Sequence, residues 1–175
     1  MNLNLTTRQR KKRLKPNSYK SNSSRIERSI RNTALDILAR REHTRLELSR
    51  KLKAKDFSDS EIEEILEILG QEGLQSDERY TESYVNMRRN RGYGPLKIKQ
   101  ELQQRGISSE LVDNFVHFND DIWLDTAYQA YEKKFAHRLQ DGALDTANER
   151  AKRMRFLQSR GFTGDIIQKT FAHFG

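Results

Sequence analysis

The sequence predicts an all-α protein made of three tandem three-helix repeats in an elongated array. Helix-capping motifs open a series of amphipathic segments, and this pattern recurs with a period of 50 to 55 residues. The chain is 34% hydrophobic and 33% charged, whereas an average globular domain has about 25% charged residues. Such a composition cannot fill one large core, so several small cores along an array suit it better than one compact bundle.

Three capping motifs open the helices of the first unit. Ser24 and Glu27 form a capping-box pattern that predicts a first helix reaching to about Arg41. Thr44 opens the second helix and Ser58 opens the third. The apolar positions then follow helical spacing, with Ile26, Ile30, Ala34 and Ile37 in the first helix, Leu48 and Leu52 in the second, and Ile62, Ile65, Leu66 and Leu69 in the third.

The second unit repeats the first at an offset of 50 residues. Its first helix is predicted to start at a Ser76 cap, and Arg41 of the first unit maps onto Arg91. The apolar pattern supports this offset, because it pairs Ile30 with Tyr80, Ala34 with Tyr84, Ile37 with Met87, Leu48 with Ile98, and Leu52 with Leu102, and it places Val112, Phe115, Val116 and Asn119 in the third helix.

The third unit follows at an offset of 55 residues from the second. Residues 105–108 map onto residues 160–163, and five extra residues fall near 140–144, between the first two helices. We expect Trp123 to anchor the core of this unit. The predicted organisation is a disordered basic arm over residues 1–23, followed by repeats at residues 24–74, 75–120 and 121–175.

The basic arm carries most of the net charge of the protein. Residues 1–28 hold nine Lys or Arg and one acid, whereas the whole chain has a net charge of +8. The arm is polar and lacks helical periodicity, so it cannot offset the entropy cost of ordering. Two interpretations remain open, namely attraction to phosphate and a simple gain in solubility.

Charge alternates along the rest of the chain. Residues 40–55, 79–105 and 133–160 each have a net charge of +5, whereas residues 56–78 and 110–132 hold nine and six acids and no base. If the units stack in register, a basic ribbon and an acidic ribbon are predicted on different faces of the array. A periodic basic face suits a linear, periodic target such as a filament or a nucleic acid.

The most distinctive stretch is residues 88–107, where six Arg or Lys surround a turn with two glycines. In this turn, Gly92 and Gly94 permit backbone conformations that side chains forbid, and Pro95 suits the first position of a new helix. Helical spacing points Arg88 and Arg89 outward beside an exposed Tyr93. The pattern indicates a surface for a polyanion or an acidic partner, although such charges also serve simply to solvate a helical hairpin.

Several classes of function find no support in the sequence. The chain has no cysteine, and its histidines (His43, His117, His137 and His173) lack metal-ligand spacing, so we expect surface or helix-end roles for them, no metal site and no cofactor. No catalytic constellation appears, and we expect no enzyme and no small-molecule substrate. No apolar run approaches the roughly 20 residues that span a bilayer, and a cysteine-free chain fits a reducing compartment, so we expect a cytoplasmic protein without membrane contact.

Three segments resemble the RecX family of bacterial recombination regulators. They are LARREHTRLELSRKL at residues 38–52, DERYTESYVNMRRNRGYGPLKIKQELQQRGI at residues 77–107, and RFLQSRGFTGDII at residues 155–167. The resemblance implies a crescent of three three-helix repeats that binds in the groove of the RecA recombinase filament. It also implies modulation, usually inhibition, of ATP hydrolysis, strand exchange and coprotease activity, and it implies no cofactor.

The candidate contacts with the RecA–DNA filament come from the basic segments of all three repeats. They are Arg40, Arg41, Arg45, Arg88, Arg89, Arg91, Tyr93, Lys97, Lys99, Arg105, Arg150, Lys152, Arg153 and Arg155. The third unit departs most from the pattern, because Arg153 stands where the repeat places an apolar residue. The rival interpretation is a general DNA-binding protein with helix-turn-helix-like units and a basic arm. Direct contact with single- or double-stranded DNA stays open, and we expect a monomer.

Overall fold

The computed structural model describes residues 18–117, 121–140 and 146–174. Within these residues all regular structure is helical, in the order α1 Ser18–Leu38, α2 Arg45–Lys53, α3 Asp59–Gln71, α4 Asp77–Asn90, α5 Pro95–Gln104, α6 Ser109–Phe115, α7 Ile122–Gln140, α8 Ala147–Arg160 and α9 Gly164–Phe174. Each consecutive group of three helices packs together, so α1 to α3, α4 to α6 and α7 to α9 form three units. The predicted all-α repeat fold is confirmed.

Most helix starts follow the predicted capping chemistry. Ser58 and Glu61 form a complete capping box at α3, while the side chains of Thr44 and Ser76 accept hydrogen bonds from the first turns of α2 and α4. The prediction of a start at Ser24 is wrong, because α1 begins at Ser18. Neither glycine nor proline occurs between these two serines, so nothing in the sequence stops the helix from extending.

The buried residues form two cores. The first lies within the first unit and contains the predicted inward residues of α1, α2 and α3 from Ile30 onward, with Ile37 half-buried at its edge. The second is continuous across the second and third units and extends from Tyr80 to Ile167. Trp123 is fully buried there and donates its indole N–H to the carbonyl oxygen of His117 at 2.8 Å, which confirms its predicted anchoring role. The second and third repeats therefore share one hydrophobic core.

Some predictions concern residues that the structure does not describe. The basic arm falls mainly on residues 1–17, Asn119 lies in the gap at 118–120, and the insertion near 140–144 falls largely in the gap at 141–145. Among the described residues, none of the helices combines the length and apolarity needed to cross a membrane.

Candidate functional site

The turn between α4 and α5 contacts the third repeat through its backbone. Gly94 donates its N–H to the carbonyl oxygen of Arg160 at 2.8 Å, and Leu96 donates to that of Gly161 at 3.0 Å. A Cβ added at Gly94 would lie only 2.5 Å from the Gly161 carbonyl oxygen. The glycine-rich motif therefore forms a joint between the second and third repeats, in which two backbones approach too closely for a side chain.

The first and second repeats meet through an equivalent joint. The hydroxyl of Thr44 donates to the carbonyl oxygen of Arg105 at 2.8 Å, and Thr44 lies 50 residues before Gly94 while Arg105 lies 55 before Arg160. Gly106 follows with a φ of 84°, and a Cβ there would meet the Leu46 side chain at 2.8 Å. One type of joint thus connects all three repeats. In each joint, the arginine–glycine turn of one repeat packs against the start of the second helix of the preceding repeat.

Tyr93 lies between two guanidinium groups at the second joint. The Cζ atom of Arg88 lies 3.6 Å from the centre of the Tyr93 ring, and that of Arg160 lies 4.8 Å away. The Arg88 side chain is only 13% exposed and forms an ion pair with Glu101. The predictions of an outward Arg88 and an exposed Tyr93 are therefore wrong, because both side chains pack into the joint against the shared core.

Arg160 is a joint residue that was not among the candidates from the sequence. Its Nη1 donates to the carbonyl oxygen of Arg91 at 2.6 Å and to that of Gly92 at 3.3 Å, so it caps the end of α4 from the third repeat. Cations at a helix C-terminus are favoured by the helix dipole. The repeat pattern could have indicated Arg160, since it occupies the position in the third repeat that corresponds to the candidate Arg105 in the second.

A groove of about 410 Å³ opens beside this second joint. It lies between the end of α4, one face of α7 and the end of α8. Among the described residues, its lining contains five cations and no Asp or Glu, and consists of Arg89, Asn90, Arg91, Gly92, Thr126, Gln129, Ala130, Lys133, Lys134, Phe156 and Arg160. We refer to it as the basic groove. Of its cations, only Arg89 and Arg91 were candidates from the sequence.

A second groove, of about 390 Å³, opens beside the first joint and has a different character. Arg41 lines this groove, as its repeat equivalent Arg91 lines the basic groove, but Glu42 and Glu47 line it as well. Arg41 pairs with Glu47 at 2.9 Å, and Arg105 approaches the same carboxylate at 3.7 Å. The cations of this groove therefore have acids within the same lining.

Tyr84 is one of the residues that line this second groove. Its hydroxyl donates to Glu101 at 2.9 Å, and the Cζ atom of Arg105 lies 4.8 Å from the centre of its ring. Burial, followed by the hydrogen bond to Glu101, raises the pKa of Tyr84 to about 12. Because Glu101 also pairs with Arg88, it connects the side chains of the first and second joints.

The other candidates of the first two repeats differ in exposure and pairing. Arg40 is exposed beyond the end of α1, while Lys97 is half-buried against Gly161. Arg45 pairs with Glu63 of α3, and Lys99 pairs with Asp113 of α6 at 2.5 Å. The prediction of separate basic and acidic ribbons is therefore wrong in part, because second-helix cations reach across to the acidic third helix of their own repeat.

The candidates of the third repeat lie on α8. Arg150, Lys152 and Arg155 are exposed, and Lys152 pairs with Glu149 at 2.7 Å. Arg153 is only 5% exposed and donates to the hydroxyl of Tyr131 at 3.2 Å. Arg153 therefore occupies the inward position that the repeat assigns to an apolar residue, and its burial argues against the predicted contact role.

The titratable residues give no sign of a metal centre in the described part of the chain, where no group of three or more His, Asp or Glu is placed to hold an ion. His43 is buried between α1 and α2, with its Nδ1 2.9 Å from the Arg41 carbonyl oxygen. Burial lowers the pKa of His43. His117 and His173 are exposed, whereas His137 lies where side chains are not described.

Three family models match consecutive parts of the chain. The first three-helix domain of RecX matches residues 31–69, the second matches residues 76–114, and the third matches residues 120–171. These ranges agree with the three packed helical units and together cover more than half of the chain.

Similar proteins extend this match over most of the length. The regulatory protein RecX of Legionella pneumophila (strain Corby) is 42% identical over 139 residues, which are 79% of this chain and 90% of that protein. The regulatory protein RecX of Pseudomonas putida (strain KT2440) is 43% identical over 140 residues, which are 79% of this chain and 86% of that protein. The crystal structure of RecX from Lactobacillus salivarius superposes with a TM-score of 0.76 at 27% identity, covering 86% of this chain and 97% of that one. The chain therefore belongs to the RecX family of regulatory proteins.

Proposed function

We propose that this protein binds the RecA–DNA filament and modulates it, mostly by inhibiting ATP hydrolysis, strand exchange and coprotease activity. It would thereby regulate recombinational DNA repair and the SOS response. Membership of a family of regulatory proteins supports this proposal. We further propose that the protein acts by binding alone, as a regulator without an enzymatic activity of its own.

The observation that carries the proposal is the periodic placement of cations beside the two joints. Arg41 and Arg91, separated by one repeat, each line the groove at their own joint. A filament of identical subunits presents its acidic surfaces and DNA phosphates at regular intervals, so a chain that repeats its cations can engage several of them at once. Within the described residues, Arg89 and Arg91 form no hydrogen bond or ion pair through their side chains, which makes them the first contacts that we propose.

The proposed mechanism is steric and electrostatic. Three repeats lodged in the filament groove would cap its growth or hinder the subunit movements that accompany ATP turnover. The repeats would resist deformation, because backbone hydrogen bonds and close glycine contacts connect the second repeat to the third. Arg40, Arg150 and Arg155 are exposed and extend the proposed contact surface into the first and third repeats.

The test is the steady-state ATPase of RecA on single-stranded DNA, titrated with this protein. We expect turnover to fall at substoichiometric ratios. An Arg89→Glu/Arg91→Glu variant should lose about tenfold or more in potency, because both reversed charges face the proposed partner. Arg88 is unsuitable for this purpose, since its reversal would place a carboxylate beside Glu101.

A matched control is Arg50→Glu/Lys51→Glu, which makes the same change in net charge on α2. Both residues are exposed, and neither lines the basic groove. We expect this variant to keep most of the wild-type potency. Equal losses in both variants would show that only net charge matters, and unchanged turnover with the wild-type protein would refute the regulatory proposal.

Salt dependence separates filament binding from general DNA binding. A binder dominated by phosphate contacts loses affinity steeply as salt rises, with a logarithmic slope of about −0.9 per neutralised phosphate on duplex DNA. Binding that depends on the recombinase surface should weaken less. Binding to naked DNA with a steep slope, combined with no effect on RecA turnover, would favour the DNA-binding alternative.

A further inference from the structure

The basic groove holds positive charge that the described residues of the protein do not neutralise. Among its five cations, Arg160 donates to backbone carbonyls, whereas Arg89, Arg91, Lys133 and Lys134 form no side-chain hydrogen bond or ion pair within the described residues. Beside the first joint, by contrast, Arg41 pairs with Glu47 at 2.9 Å. The lining of that groove includes both Glu42 and Glu47. Of the two grooves beside the joints, the one at the second joint therefore has an excess of cations over acids among its described lining residues, whereas the one at the first joint is balanced.

The shape of the groove is held by the joint. Gly92 has a φ of 75°, and a Cβ there would lie 3.0 Å from the Ala130 side chain, so the end of α4 lies directly against α7. Arg160 fixes the same backbone from the third repeat by its bonds to the Arg91 and Gly92 carbonyl oxygens. The cations at the end of α4 and on α7 are thus brought together by the close packing of these two segments.

Like charges gathered in this way repel one another, and an anion that enters the groove removes the repulsion. A single carboxylate offers one negative charge, which would leave most of the five cations unmatched. Adjacent phosphate groups offer several charges and many acceptor oxygens, which guanidinium groups bind in a bidentate manner. The exposed amides of Asn90 and Gln129 add neutral donors to the same lining. The charge balance therefore favours an oligophosphate.

The lining offers little to recognise a base. In the described part of the lining the one aromatic residue is Phe156, whose ring lies 5.1 Å from the Cζ atom of Arg160 and packs edge to face against Phe135 at 5.4 Å. That ring is thus engaged inside the protein. Recognition in the groove would then depend on the phosphates and not on base identity.

We propose that the basic groove is a binding site for two or more adjacent phosphate groups, independent of base sequence. The phosphates could come from a nucleic-acid backbone or from the polyphosphate chain of a free nucleotide, and both sources present the same chemistry. This inference deepens the proposed function, because Arg89 and Arg91 belong to both sites. It is tested without recombinase, so that either proposal can fail alone.

The experiment is isothermal titration calorimetry of the full chain with inorganic tripolyphosphate at about 0.15 M salt. We expect saturable binding that weakens at least about tenfold in a Lys133→Ala/Lys134→Ala variant, because two of five cations are removed. The matched control is Arg50→Ala/Lys51→Ala, another adjacent and exposed basic pair outside the groove. Thermal melting checks that all three proteins are equally folded.

A second titration with an oligothymidylate of about eight nucleotides identifies the source of the phosphates. If the oligonucleotide competes with tripolyphosphate and shows the same dependence on Lys133 and Lys134, the groove binds a nucleic-acid backbone. If only tripolyphosphate shows that dependence, the ligand is a free polyphosphate. Absence of saturable binding, or equal losses in the groove and control variants, would overturn the inference. Inhibition of RecA by the same preparations would then show whether the proposed function survives.

Discussion

The backbone N–H of Gly94 donates to the carbonyl oxygen of Arg160 at 2.8 Å, and this bond connects the glycine turns of two successive repeats. The hydroxyl of Thr44 makes the corresponding contact with the carbonyl oxygen of Arg105 one repeat earlier. A protein with small repeats gains stability from the interfaces between them, because each unit alone buries too little apolar surface. The arginine–glycine turns are therefore structural joints as well as carriers of charge.

Replacing Gly94 with alanine should destabilise the joint between the second and third repeats. The φ of Gly94 is −88°, which any residue adopts, so the cost comes from the new Cβ at 2.5 Å from the Gly161 carbonyl oxygen. We expect the free energy of unfolding to fall by about 1–3 kcal/mol in urea denaturation. Gly70→Ala in α3 is the control, since a Cβ there meets nothing within 4 Å and should stabilise the helix by about 0.5–1 kcal/mol. Equal midpoints for the two variants would contradict this account.

Replacing Arg88 with alanine should affect stability more than surface binding. The change leaves the Glu101 carboxylate, only 16% exposed, with the Tyr84 hydroxyl as its remaining side-chain partner. We expect a loss of about 1–3 kcal/mol in the free energy of unfolding, measured by urea denaturation. Adding Glu101→Gln should recover part of that loss, since the unpaired charge is then removed. Arg89→Ala should stay within about 0.5 kcal/mol of wild type, and a similar cost at both arginines would refute the assignment of Arg88 to the joint.

The hydroxyl of Tyr84 should lose its proton at a higher pH than that of an ordinary tyrosine. Its pKa is raised to about 12 by burial and by the hydrogen bond to Glu101, so the folded state favours the protonated phenol. The stabilisation is fully present below the ordinary pKa of about 10 and is lost as pH rises toward 12. In a titration of tyrosinate absorbance, Tyr84→Phe should remove a step near the upper end of this range. Loss of a step near pH 10 instead would show that the hydroxyl is not held by Glu101.

Arg153 should behave as a core residue of the third repeat. Alanine at this position removes a buried side chain and its hydrogen bond to the Tyr131 hydroxyl. We expect a loss of about 2 kcal/mol or more in the free energy of unfolding, measured by urea denaturation. The neighbouring Arg155→Ala, at an exposed position, should stay within about 0.5 kcal/mol. A stable Arg153→Ala protein with weakened RecA inhibition would instead restore Arg153 as a contact residue.

The repeats and their helices could be read from the sequence because the necessary signals are local. Serine and threonine caps, 3.6-residue periodicity and the recurring offset each involve residues within about one repeat. They correctly placed the starts of α2, α3 and α4 and the buried aliphatic residues of the first unit from Ile30 onward. The start of α1 was misplaced because a serine followed by a glutamate can also lie inside a helix.

The candidate surface was harder to predict, because exposure depends on distant partners. Helical spacing pointed Arg88 outward from its own helix, but Glu101 lies 13 residues further along the chain and draws its guanidinium into the joint. The basic groove is lined by cations of two repeats, Arg89 and Arg91 from the second and Lys133, Lys134 and Arg160 from the third. Only Arg160 had a visible signal, through its correspondence with Arg105.

The sequence alone thus determined the fold class, the number of repeats and the family. The tertiary structure decided which cations are buried, which are paired with acids, and which meet in the basic groove. The physical reason is that apolar periodicity acts within one helix, where neighbouring residues set the geometry. The environment of a long charged side chain depends instead on backbone contacts between repeats, such as that between Gly94 and Arg160, which bring together residues far apart in the chain.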